Sequence, residues 1–172
     1  MNPMRWGFRA QFFAGFLACV ALLAYAIYTQ LHDGLEPCPL CIFQRLAYAG
    51  LALVFLLGSL HGPRSSGGRA GYGGLVALAS LIGIGIAGRH VWLQLLPKGT
   101  APSCGPPLSF LQDTLGPMEL VRRVLTGTGD CGTVDWTLFG LSMPVWSLIG
   151  FVLLAAWGLF AAFRKRRSRH RL

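Results

Sequence analysis

Charge is scarce in this chain, and acidic charge scarcest of all. Only 12% of its 172 residues are charged, and six are Asp or Glu. A soluble domain carries roughly twice that charged fraction, and a mean hydropathy of +0.55 excludes an ordinary water-soluble fold. None of the apolar runs alternates polar and apolar residues as a barrel strand would. Lipid cannot satisfy exposed backbone groups, so helix is the expected state of those runs. The chain also lacks any linker long or polar enough to divide it into two domains.

What is present is a set of four apolar runs, each close to the roughly 20 residues a membrane-crossing helix needs. They span about Gln11 to Leu31, Cys41 to Leu60, Tyr72 to Leu95 and Pro144 to Phe163. The expected architecture is an all-α, four-transmembrane-helix bundle forming a single domain over residues 1–172. Its connecting segments are about 32–40, 61–71 and 96–143, with a C-terminal tail at 164–172. The first run lies near the N-terminus, but its length and the lack of a small-x-small site before a mature domain argue against a cleaved signal peptide.

Charge orients the bundle. Both termini and the loop Gly62 to Gly71 share one side, which carries Arg5, Arg9, Arg64, Arg69, Arg164, Lys165, Arg166, Arg167, Arg169 and Arg171 and no acid. Asp33, Glu36, Asp113, Glu119, Asp130 and Asp135 all fall in the other two loops. The positive-inside rule puts the termini in the cytoplasm and those two loops outside. Beside a span, a basic tail reads as a topology signal that touches anionic membrane lipid, not as a nucleic-acid site.

The outer loops hold four of the five cysteines. Cys38 and Cys41 stand in Glu36-Pro37-Cys38-Pro39-Leu40-Cys41, where a polar loop meets an apolar run. Cys104 and Cys131 lie in the one long hydrophilic stretch. Outside the cytoplasm disulfides persist, and four cysteines allow three pairings. A close CxxC can cycle between dithiol and disulfide, and a distant second pair on the same face gives it an exchange partner. Pro37 and Pro39 suit the start of a helix. Cys41 would then lie in the first turn, where the positive end of the helix dipole favours thiolate.

Arg45 follows Cys41 by four residues, on the same helix face and one turn deeper. So near hydrocarbon it is expensive unless it snorkels or finds an anion, which a thiolate or the oxygens of a cofactor would supply. A topology-marking arginine is the bland alternative, but this is the wrong side for one. A zinc site is not predicted, because neither Cys104 nor Cys131 has a close Cys or His neighbour. Cys19, among Leu17, Val20 and Leu22, is expected to pack inertly.

The long outer loop has its own organisation. Pro97 to Pro107 is rich in proline, so Cys104 is expected in an irregular segment accessible to another protein. Met118 to Thr126 reads as a short amphipathic helix, with Met118, Val121 and Leu125 on one face; it suits either the membrane interface or packing against the loop. Pro144 suits the first turn of the fourth span.

Taken together, these pieces resemble the DsbB family, the quinone-linked disulfide-generating membrane proteins of Gram-negative bacteria. The matching segments are Pro37-Cys38-Pro39-Leu40-Cys41-Ile42-Phe43-Gln44-Arg45, His90-Val91-Trp92-Leu93-Gln94-Leu95, Cys104, Gly129-Asp130-Cys131 and Phe139-Gly140-Leu141-Ser142-Met143-Pro144-Val145-Trp146. The CxxCxxxR motif with a second pair in the last outer loop is the specific part.

The resemblance implies a thiol:quinone oxidoreductase of the bacterial inner membrane, with its redox loops facing the periplasm. A reduced DsbA-like thioredoxin-fold partner would attack a Cys104–Cys131 disulfide at Cys104. Cys131 would attack Cys38, and Cys41 would deliver the electrons to ubiquinone or menaquinone. Arg45 would stabilise the thiolate and the reduced quinone oxygens, and His90 would donate a hydrogen bond to a quinone carbonyl. Arg89 reads as an interfacial charge, and Trp92 and Trp146 as belt or packing residues. Three other readings compete. A transmembrane electron carrier sending reductant outward would need cysteines within its spans, where only Cys19 qualifies. The others are a non-enzymatic scaffold with structural disulfides and, last, a quinone-linked protein of the vitamin K epoxide reductase type. The last typically carries its CxxC late in the chain, whereas here it is early.

Overall fold

The computed structural model describes residues 7–33, 38–96 and 137–164. Four helices account for most of them: α1 Phe8–Asp33, α2 Pro39–His61, α3 Ser66–Leu95 and α4 Met143–Phe163. All four are long and apolar enough to cross a membrane, so the expected four-span all-α bundle is what the chain forms. The long outer loop, and with it the amphipathic helix expected over Met118 to Thr126, lies outside the described residues.

Two helix starts show how local sequence sets the ends. α3 begins six residues before the expected Tyr72, because Ser65 caps it: the Ser65 hydroxyl accepts from the Gly68 N–H at 3.1 Å. Such a cap satisfies one of the orphan donors of the first turn. At 30 residues, and about 1.5 Å of rise per residue, α3 is roughly 45 Å long. That exceeds the roughly 30 Å hydrocarbon core, so α3 must tilt within the bilayer or extend past it. α4 starts at Met143 with Pro144 in its first turn, where the missing N–H costs nothing.

One element was not foreseen. Strands β1 Thr137–Leu138 and β2 Leu141–Ser142 form a two-residue antiparallel hairpin, pairing Thr137 with Ser142 and Leu138 with Leu141. Its turn places Phe139 at φ 53° and Gly140 at φ 77°, and positive φ at both central positions is what a type I′ turn requires. Glycine adopts this freely; phenylalanine does so at a cost. The Ser142 hydroxyl donates to Gln94 Oε1 at 2.6 Å, tying the hairpin to the end of α3.

Neighbouring helices pack in chain order around the bundle, α1 on α2, α2 on α3 and most extensively α3 on α4, with α4 closing against α1. Rings fill the middle. Phe8 stacks on Phe12 at 4.1 Å, and Phe12 meets Phe55 edge-on at 5.2 Å. Tyr48 stacks on Phe151 at 4.0 Å, and its hydroxyl donates to the Ser147 carbonyl at 2.9 Å. Phe151 lies so close over Gly83 that a Cβ there would collide with its ring, the close approach that small residues permit between membrane helices. Cys19 is fully buried in this core. Leu17, Leu53, Leu57, Leu60, Leu81 and Leu153 are exposed, an outer surface suited to lipid.

Candidate functional site

The site is built at the start of α2. Cys38 is the N-cap residue, in extended conformation, and Pro39 opens the helix. The Cys41 backbone N–H donates to Cys38 Sγ at 3.4 Å, so a cysteine does here what Ser or Asp usually does at a helix start. The turn brings the two sulfurs to 3.1 Å, with the Cys38 thiol donating to Cys41 Sγ. The pair is a dithiol, and both residues are half-buried.

His90 comes from α3 and is only 3% exposed. Its Nε2 lies 3.7 Å from Cys38 Sγ, and its Nδ1 lies 3.0 Å from Gln44 Nε2. With the Gln44 amide donating to Nδ1, the imidazole proton sits on Nε2 and points at the Cys38 sulfur. The sequence placed His90 at the membrane edge, facing a quinone. The fold seats it against the CxxC pair at that outer end, because the end of α3 packs beside the start of α2. Gln44 escaped the sequence reading as a functional residue. Its signal was there: an amide three positions after Cys41, inside an apolar run, must find a polar partner once buried.

Arg45 turns away from α3. Its Nη1 donates to Gln30 Oε1 at 2.6 Å and its Nη2 to the Ala26 carbonyl at 2.9 Å. Both acceptors belong to α1 and both are neutral, so the guanidinium is anchored without its charge being cancelled by them. Two of its five donors are held this way. Gln30 was also missed, although a lone amide at the outer end of an apolar run marks the level of a polar partner.

An apolar wall stands beside these groups. Leu40 and Leu93 are buried against each other, with Cys38, Phe43, Ile86 and Leu96 packed around them. Arg89, expected as an interfacial charge, has its guanidinium 4.4 Å from the Trp92 ring centroid, a cation–π contact on a tryptophan that is half exposed. Cys104 and Cys131 lie outside the described residues. The fold therefore gathers Cys38, Cys41 and His90 into one cluster, and sets Arg45 on the neighbouring face of α2.

A four-helix membrane bundle with a helix-capping CxxC at its outer end defines a class: polytopic membrane thiol–disulfide proteins. The model for disulfide bond formation protein DsbB matches residues 8–161, and the chain belongs to the DsbB family. It is similar to disulfide bond formation protein B of Xanthomonas campestris pv. campestris (strain 8004), 66% identical over 169 residues covering 98% of each chain. The protein of that name from Xanthomonas oryzae pv. oryzae (strain MAFF 311018) is 64% identical over 168 residues. That from Xylella fastidiosa (strain 9a5c) is 56% identical over 169, and both again cover 98% of each chain. The chain is thus a multi-pass inner-membrane oxidoreductase acting in disulfide bond formation, of a family that works with quinones.

Proposed function

We propose that Cys38 and Cys41 form the quinone-linked redox couple of a relay that begins at Cys104 and Cys131 and reoxidises a DsbA-like periplasmic thioredoxin-fold partner. The observation that carries this reading is the 3.1 Å approach of the two sulfurs at the first turn of α2, with His90 Nε2 3.7 Å from Cys38. The alternative of inert structural disulfides explains neither the buried imidazole against the pair nor the anchored guanidinium one turn below it.

The residues present fit a quinone head group. His90 and Gln44 offer polar hydrogens, Arg45 offers a cationic fork, and Leu40, Leu93, Phe43 and Ile86 offer an apolar wall. When bound, a quinone supplies a sink for two electrons and two protons. The remaining work falls to the chain.

Cys104, in its proline-rich segment, receives the partner's thiolate; the Cys104–Cys131 bond breaks and Cys131 leaves as a thiolate. Cys131 attacks Cys38 Sγ, breaking the Cys38–Cys41 bond and releasing Cys41 as a thiolate. The positive end of the α2 dipole favours negative charge on the Cys41 sulfur as it leaves, and the Cys41 N–H on Cys38 Sγ holds the turn that keeps the two sulfurs together. The partner's second thiolate then attacks the partner sulfur of the mixed disulfide, releasing the oxidised partner and a Cys104 thiolate. Cys104 attacks Cys131, restoring the Cys104–Cys131 bond and leaving Cys38 and Cys41 as the reduced pair. Prompt capture of Cys131 by Cys38 keeps it from reversing the first exchange. His90, its tautomer fixed by Gln44, presents Nε2–H to the pair and can move a proton at that atom. Arg45, held by Gln30 and Ala26, supplies a fixed positive charge at the depth where negative charge develops, the preorganised arrangement that lowers such barriers most.

Either ubiquinone or menaquinone suits these contacts, and we favour ubiquinone as the aerobic acceptor. The test is quinone reduction by the purified protein with a reduced thioredoxin-fold partner, run with each quinone and with Cys41→Ser and Cys104→Ser. Turnover lost in both variants supports the relay. Normal partner and quinone binding without turnover by the wild type would return the cysteines to a structural role.

A further inference from the structure

The geometry points to a second use of the same cluster: in its reduced state the Cys38–Cys41–His90 triad is a binding site for a thiophilic d10 cation, Zn2+, which locks the pair as a dithiolate. This goes beyond the relay and rests on it only in taking the dithiol as a state through which the protein passes.

The three ligand atoms, Cys38 Sγ, Cys41 Sγ and a His90 ring nitrogen, all lie within 4.8 Å of one another. Tetrahedral zinc, with bonds of about 2.3 Å to sulfur and 2.0–2.1 Å to nitrogen, requires sulfur–nitrogen edges of about 3.6 Å and a sulfur–sulfur edge of about 3.8 Å. The Cys38–His90 edge is 3.7 Å. The sulfur–sulfur edge is 3.1 Å and must open by about 0.7 Å, while the Cys41–His90 edge, within 4.8 Å, must settle at about 3.6 Å. Rotations of the Cys41 and His90 side chains supply both changes. Chain spacing argued against a metal here because Cys104 and Cys131 lack close ligand neighbours. The fold answers differently, delivering the third ligand to the CxxC from α3. Three protein ligands leave the fourth position for water, the open form of a zinc site.

Gln44 supplies what a zinc-bound histidine needs behind it. A ligating His fixes its tautomer by donating its other ring N–H to an acceptor. Gln44 reaches His90 Nδ1 at 3.0 Å, and its amide oxygen and nitrogen exchange places by a half-turn about the last side-chain bond. With nitrogen forward, the amide donates to Nδ1 and His90 presents Nε2–H to Cys38. With oxygen forward, it accepts Nδ1–H and the Nε2 lone pair faces the sulfurs. The same side chain therefore serves both the redox arrangement and the metal-bound one.

The step balances simply. Two thiols and one Zn2+ give a zinc dithiolate and two protons released to solvent; no electron moves, since zinc has no accessible redox change. The disulfide form has no thiolate to offer and does not bind. Zinc therefore holds the couple reduced and stops turnover reversibly.

The test uses full-length protein in detergent carrying Cys104→Ser and Cys131→Ser, which leaves α2 and α3 untouched and removes the other accessible thiols. After chemical reduction and removal of the reductant, Zn2+ is titrated against a chromophoric chelator, and Co2+ is added separately to look for thiolate-to-cobalt absorption. One Zn2+ per chain is expected for the reduced protein and none for the oxidised. Gln44→Ala should weaken binding about 10–100-fold, as loss of such an outer partner does, and His90→Ala should weaken it more. Zinc should also slow alkylation of Cys38 and Cys41, with a chelator restoring it; this readout requires no intact catalysis. Absence of binding by the reduced protein overturns the proposal, as does binding equally tight in the oxidised protein or in His90→Ala. Because chemical reduction replaces the partner, failure here leaves the relay standing, and failure of the relay leaves zinc binding measurable.

Discussion

Arg45 is held by Gln30: its Nη1 donates to Gln30 Oε1 at 2.6 Å, across the α1–α2 interface. A flexible cation that could snorkel to water is thereby fixed at one depth beside the CxxC turn. A hydrogen bond to a charged group contributes about 1.5–3 kcal/mol. Gln30→Leu should therefore release the guanidinium and lower quinone turnover about tenfold or more. The exchange of disulfides with the partner should continue at its normal rate. Stopped-flow measurement of the two half-reactions separates them; equal slowing of both would contradict a role for Gln30 in placing Arg45.

Arg45→Lys should not rescue the site. Lysine keeps the charge but lacks the planar fork that bonds Gln30 and Ala26 together. By analogy with losing one preorganised donor, the expected fall in quinone-coupled turnover is about 100-fold, measured against an unchanged rate of thiol alkylation at Cys38.

Gln44 distinguishes positioning from packing. Gln44→Leu leaves the buried His90 Nδ1 without its partner, at a cost of about 1–3 kcal/mol, and should lower turnover with little change in the KM for the partner protein. Gln44→Glu offers Nδ1 only an acceptor, which draws the ring proton to Nδ1 and takes Nε2–H away from the pair, so it should keep the buried hydrogen bond without restoring turnover. If the leucine variant is fully active, the hydrogen bond is incidental.

The contact of α3 with α4 depends on one missing side chain. Gly83→Leu drives a bulky group into the Phe151 ring and should destabilise the bundle by at least the roughly 1–3 kcal/mol typical of overpacking. A thermal unfolding curve in detergent would register it. Gly85, which has open space around it, provides the control: Gly85→Ala should leave the midpoint unchanged or slightly raised.

The hairpin tip carries a local conflict. Phe139 is 88% exposed at positive φ, a conformation that asparagine adopts more readily. Phe139→Asn should relieve backbone strain of about 1 kcal/mol while removing an aromatic group suited to the lipid interface. The variant should be more stable in detergent, and in proteoliposomes its hairpin should be less protected from protease than the parent's.

Much of the architecture was legible without coordinates, since it depends on short-range features. Run lengths gave four spans, and the segregation of arginines from acids gave their orientation. Pro39 beside Cys38 gave the helix start that carries the CxxC. The hairpin at Thr137 to Ser142 was not legible, because Phe-Gly is not a usual hairpin turn pair and its strands are only two residues long.

What the sequence by itself determined, then, is that α1 to α4 cross a membrane with the CxxC at the mouth of α2. Only the tertiary structure decided which side chains meet there. His90 reaches Cys38 across 52 positions of chain, Gln44 meets His90 across 46 and Arg45 turns to Gln30 on α1. The reason is physical. A soluble helix shows its inner face as an apolar stripe, but these spans are apolar all round, because lipid is as apolar as the core. Their rotational setting comes from close fits such as Phe151 over Gly83, and those fits exist only once the helices are side by side.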